Sequence, residues 1–535
     1  MWPNEKTVVI RIVRFGLFLL AVAIGLSPAF STTPAAWGSW THWGDYSDGR
    51  YANPIIPADY SDVDCIRHGN EYYMISSTFQ FQPGMVILRS TDMVNWQVVS
   101  HAVKDIRQID PELDWQHMNR YGKGIWAGSL RYHAGRFYVF FGDPLKGLFM
   151  TSSCKIEGPW DDLICLLPES GWDDCCPLFD EDKAYLVATD FKNGYQTWIF
   201  PMSVDGRFLD RDKGVLVNSG SGREANKLYK IDGRYYHLFS ETGGGRHLMM
   251  QRSDAALGPY REVKQLSYAQ RQFHEPNQGG LLCDDEGNWF FLTHHGSGDW
   301  GGRLVSLLPV YWKDGWPIVG QPDEADIGSM VWESPKPVTS APITRKKTDR
   351  NWLTADWEWN YYPRTTHWKY SRKRLTLSAF KPLQDGNLLT VGNILSCRSW
   401  QTEDNVMTVR MTVSKMADGQ KAGLCHFSRA WSMFGVRKES SGLSLFFSDN
   451  THSNPEDVSI SLPAGLRYIW LRTEWGLDGR SRYSYSLDGK HFQPTNCEYV
   501  LSWGYYRGDR TGLFTYNSKE EAGQVGFDQV QYHHR

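Results

Sequence analysis

The 535-residue sequence has almost no charge imbalance: 57 Lys and Arg against 60 Asp and Glu leave a formal net charge of −3. Without a basic excess the chain has nothing with which to neutralise a phosphate backbone, which argues against a nucleic-acid partner. A long apolar run is also missing. The most apolar stretch, residues 15–26 (FGLFLLAVAIGL), has twelve residues, whereas a bilayer-spanning helix needs about 20. Arg11 and Arg14 precede it and the small residues Ala29 and Ser31 follow. Residues 1–31 therefore read as an export signal that delivers a secreted or periplasmic protein with no stable membrane insertion, an uncleaved anchor being the alternative. No cysteine occurs before Cys65, which excludes a lipid on a cleavage-site cysteine. The nine cysteines follow no metal-ligand spacing, and the adjacent Cys175 and Cys176 are not a C-x-x-C motif. Their odd number leaves at least one free thiol, and no pairing can be read from spacing. Long segments with a 3.6-residue apolar period are absent as well, which argues against a helical fold.

Aromatic residues are abundant: 24 Trp, 27 Tyr and 25 Phe make up 14% of the chain. Such a load suits β-strands and surfaces that stack on flat apolar ligand faces. One pattern recurs, a turn of Gly, Asn or acidic residues followed by an aromatic-rich run. It occurs at residues 70–79 (NEYYMISSTF), 135–143 (GRFYVFFGD), 182–190 (DKAYLVATD), 233–241 (GRYYHLFSE) and 287–295 (GNWFFLTHH). Aligned on Tyr73, Tyr138, Tyr185, Tyr236 and Phe290, the steps are 65, 47, 51 and 54 residues. That is the length of a four-stranded propeller blade with its loops. A strand end, turn and aromatic repeat at residues 89–96, 151–160 and 252–260, reinforcing a five-bladed β-propeller over residues 50–325. Residues 326–350, rich in Pro, Ser, Lys and Asp, read as a linker. Short alternating strands such as RLTLSAF, TVRMTVS, RYSYSLDG and RTGLFTY then predict a C-terminal β-sandwich, jelly-roll-like, over residues 351–535. The fold class is all-β.

A propeller gathers the first strand of every blade around one axis. Asp62, Asp174 and Glu224 each precede an aromatic run, so three carboxyl groups from three blades can meet there. Hydrolysis of a glycosidic bond needs such a set: a carboxylate base, a carboxylic acid donor and a neighbour that tunes their protonation. Taken singly, each acid reads more readily as a turn residue or loop cap than as a catalytic group.

The ordered motifs carry a resemblance. Residues 51–96, the stretches GIWAGSLRYHAGRFYVFFGDP, GREANKLYKIDGRYYHLFSE, NQGGLL and GRLVSLLPVYWKDGWPIVG, and WEWN, SYSLDGKHF and YYRGDRTGLFTYN near the end resemble glycoside hydrolase family 43 with its appended β-sandwich. The resemblance implies an inverting glycosidase acting on plant cell-wall polysaccharide or oligosaccharide. The variants EANKLYK and HHGSGDW look more like an arabinofuranosidase branch, which favours release of terminal α-L-arabinofuranose; a β-xylosidase with the same machinery is the alternative. A catalytically silent carbohydrate-binding propeller is a further reading, disfavoured by the intact acids. By the same resemblance Asp62 matches the general base, Asp174 the tuning acid and Glu224 the general acid. Asp173 adjoins Asp174, and a shift of one residue would exchange them. Phe79, Trp126, Gln278, His295 and Arg303 match substrate-contacting positions. The chain departs from the family at Trp126-Ala127-Gly128-Ser129, where many members carry an acid. It departs again at Gln278, where many carry a histidine that helps hold a calcium ion. The chemistry itself requires no cofactor, and a structural calcium ion rests on whether a carboxamide oxygen can replace that histidine.

Overall fold

The computed structural model describes residues 42–269, 275–295, 298–337, 351–451 and 459–535. The expected export signal and residues 338–350 of the expected linker lie outside these. Among the described residues there is no α-helix, only 3-10 turns of three residues, and apart from one short parallel pair the sheets are antiparallel. No helix of the described residues is long and apolar enough to cross a membrane.

Five sheets form the propeller, and each opens with an innermost strand: Asp64–His68, Gly128–His133, Trp172–Asp180, Arg223–Ile231 and Gly279–Cys283. Each aromatic run predicted from the repeat is the second strand of its blade, paired to that innermost strand. Turn glycines and acids sit where the hairpins reverse, and the aromatic and aliphatic side chains pack between successive blades. The ring is closed by the segment before blade one. Ile55 N–H donates to the Val305 carbonyl at 2.8 Å, and Asn53 both donates to and accepts from the Leu307 backbone of blade five.

Residues 326–337, expected to be linker, are instead folded back onto the propeller. Gly328–Ser329 joins the sheet of blade four and Glu333–Pro335 pairs with Arg50–Ala52. Backbone polar groups of a segment lying against a sheet edge find partners there, and composition alone does not register this.

The sandwich packs an eight-stranded against a seven-stranded sheet around one apolar core. Strand Asn405–Lys415 alternates buried and half-buried residues over most of its length, the period-2 signature of a strand with one face in the core. The eight-stranded sheet ends in a strand borrowed from the propeller: Phe81–Gln82 of blade one pairs with Glu358–Asn360. Propeller and sandwich thus share a sheet. At this seam the buried Glu358 carboxylate meets Arg398 at 3.2 Å and Arg510 at 2.7 Å from the sandwich, and His101 at 2.9 Å from blade one. Burial pushes Glu358 up, but the two guanidinium groups and His101 more than reverse this and hold it well below the usual carboxylate range. None of the nine cysteines is in a disulfide.

Candidate active site

A cavity of about 240 Å³ opens at the propeller axis. Its lining includes Asp62, Phe79, Trp126, Asp174, Glu224, Gln278 and Arg303, so the structure brings together seven of the eight site residues expected from sequence.

The backbone explains how strands aim these side chains inward. In blade three Asp173 pairs with Thr189 but Cys176 pairs with Val187; in blade four Glu224 pairs with Ser240 but Lys227 with Leu238. The innermost strands of these two blades therefore each hold one extra residue, a β-bulge, at the same point. Asp174 (φ 51°) and Ala225 (φ 62°) take left-handed conformations inside these bulges; in blade one Asp62 (φ 57°) and Phe79 (φ 55°), in the connections flanking its strands, are left-handed as well. Non-glycine residues in that region cost roughly 1–3 kcal/mol each and cluster at functional sites. Glycine supplies the room: a Cβ on Gly124 would lie 2.4 Å from the Phe79 carbonyl oxygen, and one on Gly142 would lie 2.4 Å from Asp173 Oδ1.

Asp62 accepts from Ser77 Oγ at 2.7 Å and from an Arg303 guanidinium nitrogen at 2.8 Å. Asp174 accepts from the Ala225 N–H at 2.8 Å and from Gln278 Nε2 at 3.0 Å. Burial raises the Asp174 carboxyl above its ordinary value, partly offset by the Ala225 N–H, by Lys227 and by Gln278. Glu224 is pushed up to about 7, first by burial and then by the charge of Asp174, against the opposing pull of Arg303 and Arg246. The neighbours Asp173 and Asp174 are told apart by their partners. Asp173 has an Oδ1 with no hydrogen bond among the described residues and is raised well above the carboxylate range by burial and by Asp174. Asp174 accepts from the backbone N–H next to Glu224, and its charge is the neighbouring charge that most raises Glu224.

His295 does not line the cavity. Its ring is buried, with Nε2 3.4 Å from Glu275 Oε2. The adjacent His294 faces the other way and brings Nε2 to 3.9 Å from Asp62 Oδ1, because successive strand residues point to opposite faces. Burial, with Arg303 and other nearby cations, lowers His294 well below its ordinary value, so it stands there as a neutral imidazole.

Sequence reasoning missed Tyr195, Arg246 and Tyr506, which also line the cavity. Tyr506 comes from the sandwich. It and Tyr505 adopt φ of 67° and 54°, and the Tyr506 ring meets Trp126 edge-on at 5.8 Å. Arg246 follows a run of three glycines, a pattern that marks a turn but not its direction.

Residues 51–317 match the family described as "Glycosyl hydrolases family 43", and residues 348–533 match "Beta xylosidase C-terminal Concanavalin A-like domain". A β-xylosidase of Formosa agariphila is 33% identical over 564 aligned residues, covering 95% of this chain and 93% of that one. The chain belongs to glycoside hydrolase family 43. A non-reducing-end α-L-arabinofuranosidase of Bacteroides ovatus is 26% identical, covering 63% of this chain and 66% of that protein. Among solved structures, the bifunctional GH43-CE protein of Bacteroides eggerthii superposes with a TM-score of 0.77 at 26% identity, covering 90% of this chain and 64% of that one.

The resemblance to this family implies a structural calcium ion near Gln278 at the axis. Among the described residues no group of three or more His, Cys, Asp or Glu side chains is placed to hold a metal ion. Gln278 donates its side-chain N–H to Asp174, leaving its carbonyl oxygen as a lone oxygen donor at the axis with no carboxylate or imidazole cluster around it among the described residues. The fully buried Lys227 brings Nζ to 3.3 Å from Ser129 Oγ and 3.4 Å from the Gly128 carbonyl oxygen. An ammonium already stands among these oxygens, and the residues present do not fit a divalent cation.

Proposed function

We propose that this family-43 hydrolase is an exported, inverting exo-glycosidase that removes terminal, non-reducing pentose from plant cell-wall polysaccharide or its fragments. The observation that carries this reading is the division of labour among three carboxyl groups in one small cavity. Glu224, raised to about 7, retains a proton near neutrality and serves as the general acid that protonates the leaving oxygen. Asp62, paired with Arg303 and Ser77, is the base that takes a proton from the attacking water. Asp174 keeps Glu224 protonated by its charge and orients it through the Ala225 N–H. Phe79 and Trp126 wall the sugar, and Tyr506 closes one side, which supports attack at chain ends rather than within a chain.

The near full-length alignment with a β-xylosidase favours a β-D-xylosyl substrate. The α-L-arabinofuranosyl reading favoured by EANKLYK and HHGSGDW is supported by the Bacteroides ovatus relative. Comparing kcat/KM on p-nitrophenyl xyloside and arabinofuranoside, then on arabinoxylan and xyloglucan fragments, separates the two. Inversion requires Asp62 and Glu224 about 6.5–9.5 Å apart, with space for water between base and sugar. Proton NMR in the first minutes is expected to detect α-xylose from a β-xyloside, or β-arabinose from an α-arabinofuranoside. First appearance of the opposite anomer would overturn the mechanism.

The pH profile has a defined sign. Glu224 donates only when protonated, so kcat/KM should fall as pH rises through about 7, by about tenfold per pH unit beyond it. A profile flat to pH 9 would remove Glu224 from the acid role.

A further inference from the structure

The innermost strands of the propeller bring a second set of charges to the axis, next to the cavity but outside its lining. Asp64 of blade one is fully buried. Its Oδ2 accepts from the Leu130 N–H at 2.8 Å and from Arg131 at 2.7 Å. Its Oδ1 has no hydrogen bond among the described residues, and Lys227 Nζ lies 4.0 Å from it. The Lys227 ammonium therefore faces a carboxylate, a backbone carbonyl and a hydroxyl from blades one and two. Oxygen donors of these kinds are what a hard divalent cation selects. A buried charge persists only where opposite charge and oxygen acceptors replace its lost water.

We propose that Lys227 is a cation built into the propeller axis, occupying the oxygen cage a divalent metal would need and compensating Asp64 and Asp174, so that fold and turnover are independent of metal ions. The other groups facing it leave its charge needed. Arg131 is engaged on Asp64 and on Cys176 Sγ at 2.8 Å. Asp173, Cys65 and Tyr229 are all held in their neutral forms by burial. Asp174, adjacent to Glu224, is stabilised as a carboxylate by Lys227 after the Ala225 N–H. Lys227 is absent from the cavity lining; it is a positioning residue that acts through Asp174, and its effect on turnover rests on the roles proposed above for the three acids.

The test has two arms. In the first, the metal content of wild-type protein as purified is measured by mass spectrometry, and its melting midpoint is recorded before and after dialysis against EDTA and again with added calcium. Less than about 0.1 equivalent of divalent metal and an unchanged midpoint are expected. Stoichiometric calcium, or a midpoint that falls on chelation and recovers with calcium, would overturn the proposal. This arm needs no substrate, so it stands apart from the functional reading, and it decides even if a Lys227 variant does not fold. In the second arm, Lys227→Met keeps the length of the side chain and removes its charge. Carboxyl groups that lose a nearby cation titrate higher, so both limbs of the kcat/KM profile are expected to move up by roughly half a pH unit or more, with kcat/KM about tenfold lower at neutral pH. Folded Lys227→Met with both limbs unmoved would overturn the electrostatic role, since a purely structural contribution leaves the limbs in place.

Discussion

Glu224→Gln is expected to lower kcat/KM on a xylo- or arabino-oligosaccharide by about 10²- to 10⁴-fold, and to do far less on a p-nitrophenyl glycoside. The difference follows from the leaving group. A sugar alkoxide cannot depart from carbon unprotonated, whereas p-nitrophenolate is stable enough to leave without help from Glu224. The same variant should lose the alkaline limb near pH 7 on the aryl substrate, because the group that titrates there is gone. Asp62→Asn should behave differently. Activation of water is needed whatever leaves, so its loss of about 10²- to 10⁴-fold should be equal on both substrates. Neither amide changes side-chain volume appreciably; in Asp62→Asn the carbonyl oxygen can still accept from Arg303, and the amide nitrogen on the other side can donate to Ser77 Oγ. Circular dichroism and melting curves close to wild type would therefore accompany the kinetic loss. A Glu224→Gln enzyme impaired alike on both substrates would exchange the assigned roles or remove Glu224 from them.

The parts of this molecule that were legible in the sequence are those set by local chemistry. Tyr73, Tyr138, Tyr185, Tyr236 and Phe290 mark five blades because hairpin turns and period-2 alternation are written in a few consecutive residues. Asp62, Asp174 and Glu224 could be placed because every blade begins at the axis, so position within the repeat fixes position in space. Sequence position alone left Asp173 and Asp174 unresolved. The bulge that sets Asp174 at φ 51° inserts a residue without any turn signal. Alternation in the strand Trp289–His294 and the residue after it leaves His294 near Asp62 and turns His295 toward Glu275, and choosing between neighbours requires the register. Tyr506 and Arg246 reach the cavity from loops whose direction is decided by packing with partners distant in the chain. Residues 326–337 read as linker because pairing with a strand near the other end of the propeller, Arg50–Ala52, is a long-range event that composition does not encode. The burial of Lys227 was equally invisible, since a lysine in a strand usually reaches solvent.

Glu358→Gln is expected to cost about 3–5 kcal/mol of stability, the range for removing one member of a buried ion-pair set. Arg398 and Arg510 are both buried, and without the carboxylate two guanidinium charges would be left facing a neutral amide. Arg398 would keep the Asp59 carbonyl, which it reaches through Nε at 2.6 Å; Arg510 has the weaker compensation, its guanidinium lying 3.7 Å from the Phe81 ring centre. The damage should spread beyond the seam. Phe81 pairs with Asn360 in the shared sheet, and Arg507, beside Tyr506, lies over the Phe79 and Phe81 rings at 4.2 and 4.4 Å. Loosening the seam therefore releases both Phe79 and the sandwich loop that closes the cavity, and activity should fall at temperatures below the main unfolding transition. The control is the triple variant Glu358→Leu, Arg398→Met, Arg510→Met, which removes the whole charge set and fills the space with apolar groups of similar length. Such replacements are often neutral or stabilising, so it should recover much of the lost stability while still holding propeller and sandwich together. Urea unfolding followed by tryptophan fluorescence measures both. A Glu358→Gln protein within about 1 kcal/mol of wild type would mean that the shared strands, and not this buried charge set, hold the sandwich against the propeller.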